Sequence, residues 1–222
     1  MATFLVFLAI LCTCSAYFVP GNRLGRIDFI KRGCGESDGA GAGSTSPAEV
    51  ETPAPPPNPS LLDIRVGEIV KCWNHPDSDK LLCEEIDIGE ESGPRSIASG
   101  IRAFYSAEEF VGKKVMVMAN LKDRKLAGFL SQGMVLCASS EDGSEVKILE
   151  PPAGAENGDR VVFSGVENGE PASSSQMKKK KILEKLAPMM KTDENGVAFC
   201  GENGMTVRDQ PVTSQARSAT IS

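Results

Sequence analysis

Residues 120–138 read NLKDRKLAGFLSQGMVLCA, and this stretch decides the fold because it joins a basic loop to an apolar, strand-like run. From residue 113 to residue 132, five cations face Asp123 as the single anion. Gly128 and Gly133 lack a β-carbon, so another backbone segment can approach closely at these two points. The stretch therefore predicts a cationic loop that leads into a closely packed strand.

Short alternating runs of apolar and polar residues surround this stretch. Each run has the length of a strand and is bounded by Gly, Pro, Asn or Asp. The predicted strands are residues 62–70, 82–88, 96–99, 115–119 and 134–139, with a helical turn at residues 107–110 before the fourth strand. This pattern fits a closed Greek-key barrel of the OB type. We predict an all-β-dominated fold with a five-stranded OB barrel over residues 61–150.

The chain beyond the barrel is interpreted as a β-rich C-terminal subdomain, residues 151–213, followed by a tail, residues 214–222. Short strands are predicted at residues 160–163 and 197–200. Between them, residues 176–187 are predicted to form a short helix that ends before a proline.

The charge of the chain is unevenly distributed. The formal net charge of the 222 residues is -6, yet six lysines between residues 178 and 191 face Glu184 alone. Lys178, Lys179, Lys180 and Lys181 form a candidate secondary basic patch, although a solvated face is the more common explanation of such a run. Because phosphate binding depends on local patches, the acidic mean does not exclude it.

Three segments of different composition precede the barrel. Residues 1–16 form an apolar run that ends in small residues, as in a signal peptide, and residues 17–32 are basic and acid-poor, as in a transit peptide. Residues 33–60 are rich in Gly, Ala and Pro, which predicts a disordered linker. The first two segments together resemble the presequence of algal secondary plastids. Import into a plastid is the prediction, and secretion stays open as the alternative.

The sequence offers little for catalysis or metal binding. His75 is the only histidine, and the seven cysteines contain no C-x-x-C pair. Walker loops, dinucleotide fingerprints and G-x-S-x-G elbows do not occur. We predict a protein without enzymatic activity, cofactor, metal or membrane segment in its mature form, with free thiols.

Several spaced motifs carry a family resemblance. They are LDIRVG at residues 62–67, HPDSDKL at 75–81, SGI at 99–101 and the stretch 120–138. Together these motifs resemble the tRNA-binding domain shared by endothelial monocyte-activating polypeptide, the yeast aminoacyl-tRNA synthetase cofactor and the C-terminal domains of some methionyl- and tyrosyl-tRNA synthetases. The resemblance covers about residues 61–211. It implies an OB barrel whose C-terminal subdomain imitates the second subunit of a dimeric short form, and hence a monomer.

The resemblance also implies which residues contact RNA, namely Asn120, Lys122, Ser131 and Met134. We add Arg124 and Lys125 on electrostatic grounds, and Gln132 as an amide that can bond ribose hydroxyls or base edges. The alternative is that residues 131–134 build a barrel corner with a core methionine. Few aromatic residues lie nearby in the sequence, and Trp73 lies elsewhere, so structured RNA is favoured over single strands.

The predicted function is non-catalytic binding of structured tRNA with little sequence preference, assisting aminoacylation or tRNA handling. The predicted partners are tRNA and an aminoacyl-tRNA synthetase, with a methionyl-type enzyme as a candidate. Two alternatives stay open. The same fold can serve an export-type chaperone that binds protein, and a secreted chain can act as a cytokine-like signal.

Overall fold

The computed structural model describes residues 57–222. Five antiparallel strands form its first sheet: β1 Ile64–Asn74, β2 Leu82–Asp87, β3 Arg95–Ser99, β4 Lys114–Met118 and β7 Met134–Val135. Their order is β3-β2-β1-β4-β7, and the outer strands β3 and β7 lie in contact without pairing. The sheet therefore curls into a nearly closed barrel, and the predicted OB barrel is confirmed.

A single short helix, α1 (Ala107–Phe110), precedes β4, as the sequence predicts. The side chains of Ser106 and Glu109 form a reciprocal capping box that satisfies the first backbone N–H groups of this helix. Phe110 is fully buried and packs at 4.7 Å from the ring of Tyr105. The helix thus contributes Phe110 to the hydrophobic cluster of the barrel.

Two hydrophobic clusters hold the described chain together. One fills the barrel and includes Ile69, Ile97 and Val117. The other extends from barrel residues such as Met116 to Met205 in the C-terminal part of the chain. Because the second cluster contains side chains from both parts, the barrel and the C-terminal subdomain share a core.

The predicted basic loop contains a small hairpin of its own, β5 (Arg124–Leu126) and β6 (Phe129–Ser131). Ala127 and Gly128 form its two-residue turn, and both have positive φ, 46° and 89°, as tight β-hairpins require. Gly128 therefore serves the turn and not a close backbone approach. Gly133 does serve a close approach, since a β-carbon there would lie 3.0 Å from the Met118 carbonyl oxygen.

The second large sheet joins the end of the barrel to the C-terminal subdomain. Its strands are β8 Cys137–Ser139, β9 Val146–Glu150, β10 Val162–Phe163, β11 Met190–Thr192, β12 Ala198–Cys200, β13 Asn203–Val207, β14 Gln210–Pro211, β15 Thr213–Ser214 and β16 Thr220–Ile221. The main order is β10-β13-β12-β11-β16-β8-β9-β15, with β14 paired to β13. The strands predicted at residues 160–163 and 197–200 are present in shortened form.

The predicted single helix at residues 176–187 is divided in two. The structure has α2 (Ser174–Lys180) and α3 (Ile182–Leu186). Lys181 separates them in the left-handed region, with a φ of 50°. A lysine carries no sequence signal for such a conformation, so hydrophobic periodicity alone could not predict the break.

The predicted C-terminal tail lies within the described residues, whereas most of the predicted N-terminal segments do not. Residues 214–222, which the sequence suggested as a tail, contain β16, which pairs with β8, and Ile221 is buried. The predicted signal peptide, the basic segment 17–32 and residues 33–56 of the linker lie outside the described residues. Within residues 57–222, the helices are all too short to span a bilayer.

Candidate nucleic-acid interface

The hairpin formed by β5 and β6 is fastened to the barrel through Ser131. This side chain is buried, with 4% of its surface exposed. Its Oγ accepts a hydrogen bond from the Ala98 N–H at 3.1 Å and donates one to the Gly133 carbonyl at 3.0 Å. Both bonding capacities of the hydroxyl are used within the fold, so the structure places Ser131 as a positioning residue and not on the surface.

Asn120 fixes the base of the same loop. Its Nδ2 donates to the carbonyl oxygens of Leu61 and Ala172, each at 2.9 Å, and its Oδ1 accepts from the Asp63 N–H at 3.2 Å. Both amide hydrogens are therefore engaged with backbone from before the barrel and from the C-terminal subdomain. Asn120 joins three segments of the chain, and its side chain points into the protein.

Gln132 is half-buried and continues the attachment to β3. Its backbone N–H donates to the Ser96 carbonyl at 2.8 Å, and its Oε1 accepts from the Ser96 N–H at 3.3 Å. The terminal NH₂ group of Gln132 has no bond to another described residue. Gln132 lines a cavity of about 550 Å³ together with Arg95, Asp63 and Glu90.

Arg95 is a residue of the site that the sequence analysis missed. Its Nη1 donates to the carbonyl oxygens of Ala119 at 2.6 Å and Gln132 at 3.0 Å, which lie at the two ends of the loop. Glu90 holds the guanidinium through two hydrogen bonds, 2.6 and 2.8 Å, and these bonds lower the pKa of the Glu90 carboxyl. Because the two carbonyl partners lie 24 and 37 residues away in sequence, no local pattern marks Arg95 as a residue of the loop.

The cationic side chains of the loop remain free for a ligand. Lys122, Arg124 and Lys125 are exposed, and none forms an ion pair with another residue in the described part of the chain. Arg124 faces the same side of the hairpin as its partner Ser131, whereas Lys125 faces the opposite side with Leu130. The hairpin therefore presents cations on both of its faces.

A groove joins the hairpin to the C-terminal helices. We call this cavity of about 430 Å³ the hairpin groove; it is lined by Leu121, Lys122, Asp123, Arg124, Met134, Met177, Lys178, Leu183 and Glu184. Met134 is half-buried, packs against the shared core and also lines this groove. The two separate basic runs of the sequence thus meet in one place, with Met134 as an apolar surface between them.

A second basic cavity is lined by other residues of α2 and α3. We call it the lysine groove; it measures about 460 Å³ and is lined by Pro57, Leu61, Lys179, Lys180, Lys181, Ile182 and Lys185. The left-handed conformation of Lys181 ends α2 at this point. Lysines at the C-terminal end of a helix also interact favourably with its dipole. The predicted secondary patch is therefore divided, with Lys178 in the hairpin groove and the other three lysines in the lysine groove.

An aromatic cluster lies at the turn end of the hairpin, where Phe129 follows Gly128. Phe129 packs edge-on against Trp73, with ring centroids 6.0 Å apart, and against His75 at 6.2 Å. In the sequence, Trp73 lies more than fifty residues before Phe129 and away from the basic loop. The attachment of the hairpin to β3 brings Phe129 to the end of β1, where Trp73 lies.

The chain matches known proteins over the region that forms this interface. A family model described as "Putative tRNA binding domain" matches residues 64–160. The chain is 39% identical over 166 residues to cytoplasmic tyrosine--tRNA ligase of Xenopus tropicalis, covering 74% of this chain and 31% of that protein. It is 39% identical over 143 residues to the tRNA-aminoacylation cofactor arc1 of Schizosaccharomyces pombe, covering 64% of this chain and 31% of the cofactor.

A solved structure agrees over a stretch of similar length. The C-terminal domain of Plasmodium vivax p43 superposes with a TM-score of 0.67 at 33% identity, covering 73% of this chain and 98% of that domain. The chain spans about a third of the length of the two curated relatives, so the likeness concerns their tRNA-binding portion. The resemblance noted in the sequence motifs is confirmed, and the chain belongs to the tRNA-binding domain family.

Proposed function

We propose that this protein binds the folded body of tRNA, with little sequence preference and without catalysis, and assists aminoacylation or tRNA handling. The observation that carries the proposal is the hairpin groove, where Lys122, Arg124 and Lys178 converge from two distant parts of the chain. A surface that collects cations from separate elements suits a phosphate backbone better than a solvated charge run on one helix does.

The chemistry of the groove suits RNA held by its shape. Exposed lysines and an arginine release counterions when they contact phosphates, a gain that does not depend on base sequence. The apolar surface of Met134 between the cations can pack against a sugar or a base. Lys178 lines the hairpin groove and the next residue of α2, Lys179, lines the lysine groove, so the helix offers cations for more than one phosphate contact.

The thiols of the described region support a non-catalytic role. Burial raises the pKa of the Cys72 and Cys137 thiols to about 12 and that of Cys200 to about 11. These cysteines are protonated at neutral pH, and a thiol is a poor nucleophile compared with a thiolate. His75 uses its Nδ1 to accept the Asp77 N–H at 3.0 Å, which fixes a turn.

A synthetase is the proposed second partner. The relatives are a tyrosine--tRNA ligase and a protein named as a tRNA-aminoacylation cofactor, and the motif resemblance extends to methionyl-type enzymes. We expect the protein to lower the KM for tRNA of its synthetase, with little effect on kcat. An aminoacylation assay with tyrosyl- and methionyl-tRNA synthetases, with and without the protein, measures this.

The place of action is proposed from composition alone. Residues 1–16 and 17–32 favour plastid import over secretion, because a basic, acid-poor segment follows the apolar one. A reporter fused to residues 1–32 is expected to enter the plastid. Delivery of that reporter to the medium would instead support a secreted, cytokine-like protein.

The direct test is binding of the full chain to bulk tRNA, single-stranded DNA and an unfolded polypeptide across a range of salt. We expect salt-sensitive preference for tRNA. Binding to the unfolded polypeptide without binding to tRNA would refute the proposal and point to a protein-binding chaperone. Light scattering in the same samples tests the expected monomer.

A further inference from the structure

Trp73 lies at a position that hydrophobic packing alone does not explain. It is the only tryptophan of the chain, and 36% of it is exposed. Neither hydrophobic cluster includes Trp73 or Phe129. The side chain lies near the end of β1 opposite Cys83 of β2, and its ring contacts Phe129 of the hairpin. A large aromatic surface is thus left at the edge of the hairpin, outside the core.

Neighbouring rings hold this surface in place. Phe129 meets Trp73 at an interplanar angle of 76° and His75 at 79°, so both contacts are edge-to-face. Such pairs stabilise the orientation of the rings beyond the area that they bury. His75 is buried, which leaves Trp73 as the exposed member of the aromatic cluster. The indole is therefore oriented before any ligand binds.

Cations that can reach phosphate lie beside the cluster on the hairpin. Phe129 lies on the same short hairpin as Arg124 and Lys125, both exposed. The loop at residues 75–80 is not a second source of positive charge, because its exposed Lys80 is accompanied by the exposed Asp77 and Asp79, and Arg102 pairs with Asp79 at 3.6 Å. Phosphates that contact the hairpin cations place a nucleic acid strand near Trp73.

We propose that Trp73, oriented by Phe129, is a stacking site for an unpaired nucleobase of the RNA that the basic grooves bind. This inference rests on the proposed tRNA binding and adds a second kind of contact to it. The L-shaped body of tRNA carries unpaired bases in its loops and at its 3′ end, and unpaired bases are the parts of RNA that aromatic side chains recognise. Stacking tolerates any base, which is consistent with little sequence preference.

The single tryptophan gives a direct reporter for this contact. Fluorescence excited selectively at the indole comes from Trp73 alone, and a stacked base quenches it. We expect quenching by tRNA and by an unstructured oligouridylate, and binding without quenching for a fully paired RNA duplex. Trp73→Ala is expected to weaken tRNA binding by about 5- to 150-fold and to leave duplex binding nearly unchanged.

Two control variants test whether weaker tRNA binding comes from misfolding or from the removal of any exposed aromatic ring. Trp73→Phe keeps an aromatic face and is expected to retain most of the affinity, while its circular dichroism and melting temperature report the fold. Phe104→Ala removes an aromatic ring of similar exposure, 41%, that makes no contact with the aromatic cluster, and it should bind tRNA as the parent does.

The outcomes separate this inference from the proposed function. Salt-sensitive tRNA binding with unchanged Trp73 fluorescence and an unaffected Trp73→Ala variant would overturn the stacking site and leave the function intact. Quenching by oligouridylate without any binding of tRNA would refute the function and support the stacking site. Quenching by a synthetase in the absence of RNA, but not by RNA, would assign the surface to a protein partner and overturn the inference.

Discussion

The strongest prediction concerns two lysines of the hairpin groove, Lys122 and Lys178, which are 56 residues apart in the sequence. Lys122 comes from the loop after β4 and Lys178 from α2, and both line the same cavity. If each contacts one phosphate, the double variant Lys122→Ala with Lys178→Ala loses two contacts. The slope of log K against log salt then becomes shallower by about 1.4 to 1.8, at about 0.7 to 0.9 per contact.

The slope also fixes the expected loss of affinity. Between 1 M and about 0.1 M salt, log K for tRNA binding changes by the slope itself, so the loss of two contacts lowers log K at about 0.1 M salt by about 1.4 to 1.8. This corresponds to a Kd that is about 25- to 60-fold weaker. Because the contacts are to phosphate, the loss should be similar for different tRNAs. Fluorescence anisotropy with end-labelled tRNA, titrated at several salt concentrations, gives the slope and the affinity together.

A matched control removes the same charge elsewhere. Lys147 and Lys191 line neither the hairpin groove nor the lysine groove, so Lys147→Ala with Lys191→Ala should leave the slope nearly unchanged. The reasoning is refuted if the Lys122 and Lys178 double variant is folded and keeps the parental slope, or if the control loses as much. In the first case the lysine groove becomes the next surface to test.

Three further predictions concern the scaffold of the site. Asn120→Ala leaves the Asp63 N–H and the Ala172 carbonyl without their partner, while the Leu61 carbonyl keeps its bond from the Ala172 N–H, and the variant should lower the free energy of unfolding by about 2 to 4 kcal/mol, measured by urea denaturation; an unchanged midpoint would contradict the role assigned to its amide. Burial raises the pKa of the Glu84 carboxyl to about 8, so the unfolded state loses this proton first and the free energy of unfolding should fall between about pH 4.5 and pH 8. Glu84→Gln keeps an acceptor for Ser99, should remove this pH dependence, and should be more stable than the parent by at most about 3 kcal/mol at pH 7. Equal pH profiles of unfolding for the parent and the variant would contradict the raised pKa of Glu84. Ala127→Gly relieves a positive φ of 46° and should raise stability by up to about 1 kcal/mol; calorimetry measures this, and a decrease would mean that the flexibility gained by the unfolded chain outweighs the relief.

The barrel could be predicted because its signals are local. The strands β1 to β4 are short runs between turn formers, with β4 almost entirely apolar and buried, and α1 carries its own capping residues. The hairpin of β5 and β6 escaped prediction because three-residue strands rich in cations look like a loop. The pairing of β16 with β8 escaped because it joins segments about eighty residues apart, and a two-residue strand has no periodicity to detect.

The residues of the site also differ in whether the local sequence could predict them. Side chains that act through exposed charge, such as Lys122 and Arg124, could be identified from composition and resemblance. Their convergence with Lys178 depends on how α2 packs beside the loop, which no sequence spacing indicates. Arg95 and Trp73 were missed for the same reason, since their partners Gln132 and Phe129 are brought to them only by the fold.

The resemblance credits Asn120 and Ser131 with RNA contact, whereas the structure engages both side chains within the protein. Both observations are explained if these residues affect RNA binding indirectly, by holding the hairpin whose cations contact the RNA. Loss of a phosphate contact and loss of positioning have different signatures, because only the first removes a released counterion. A folded variant of either residue that binds tRNA more weakly at an unchanged salt slope would be a positioning residue, whereas a variant at Lys122 changes the slope itself. Salt dependence therefore separates, residue by residue, the surface that meets the RNA from the framework that presents it.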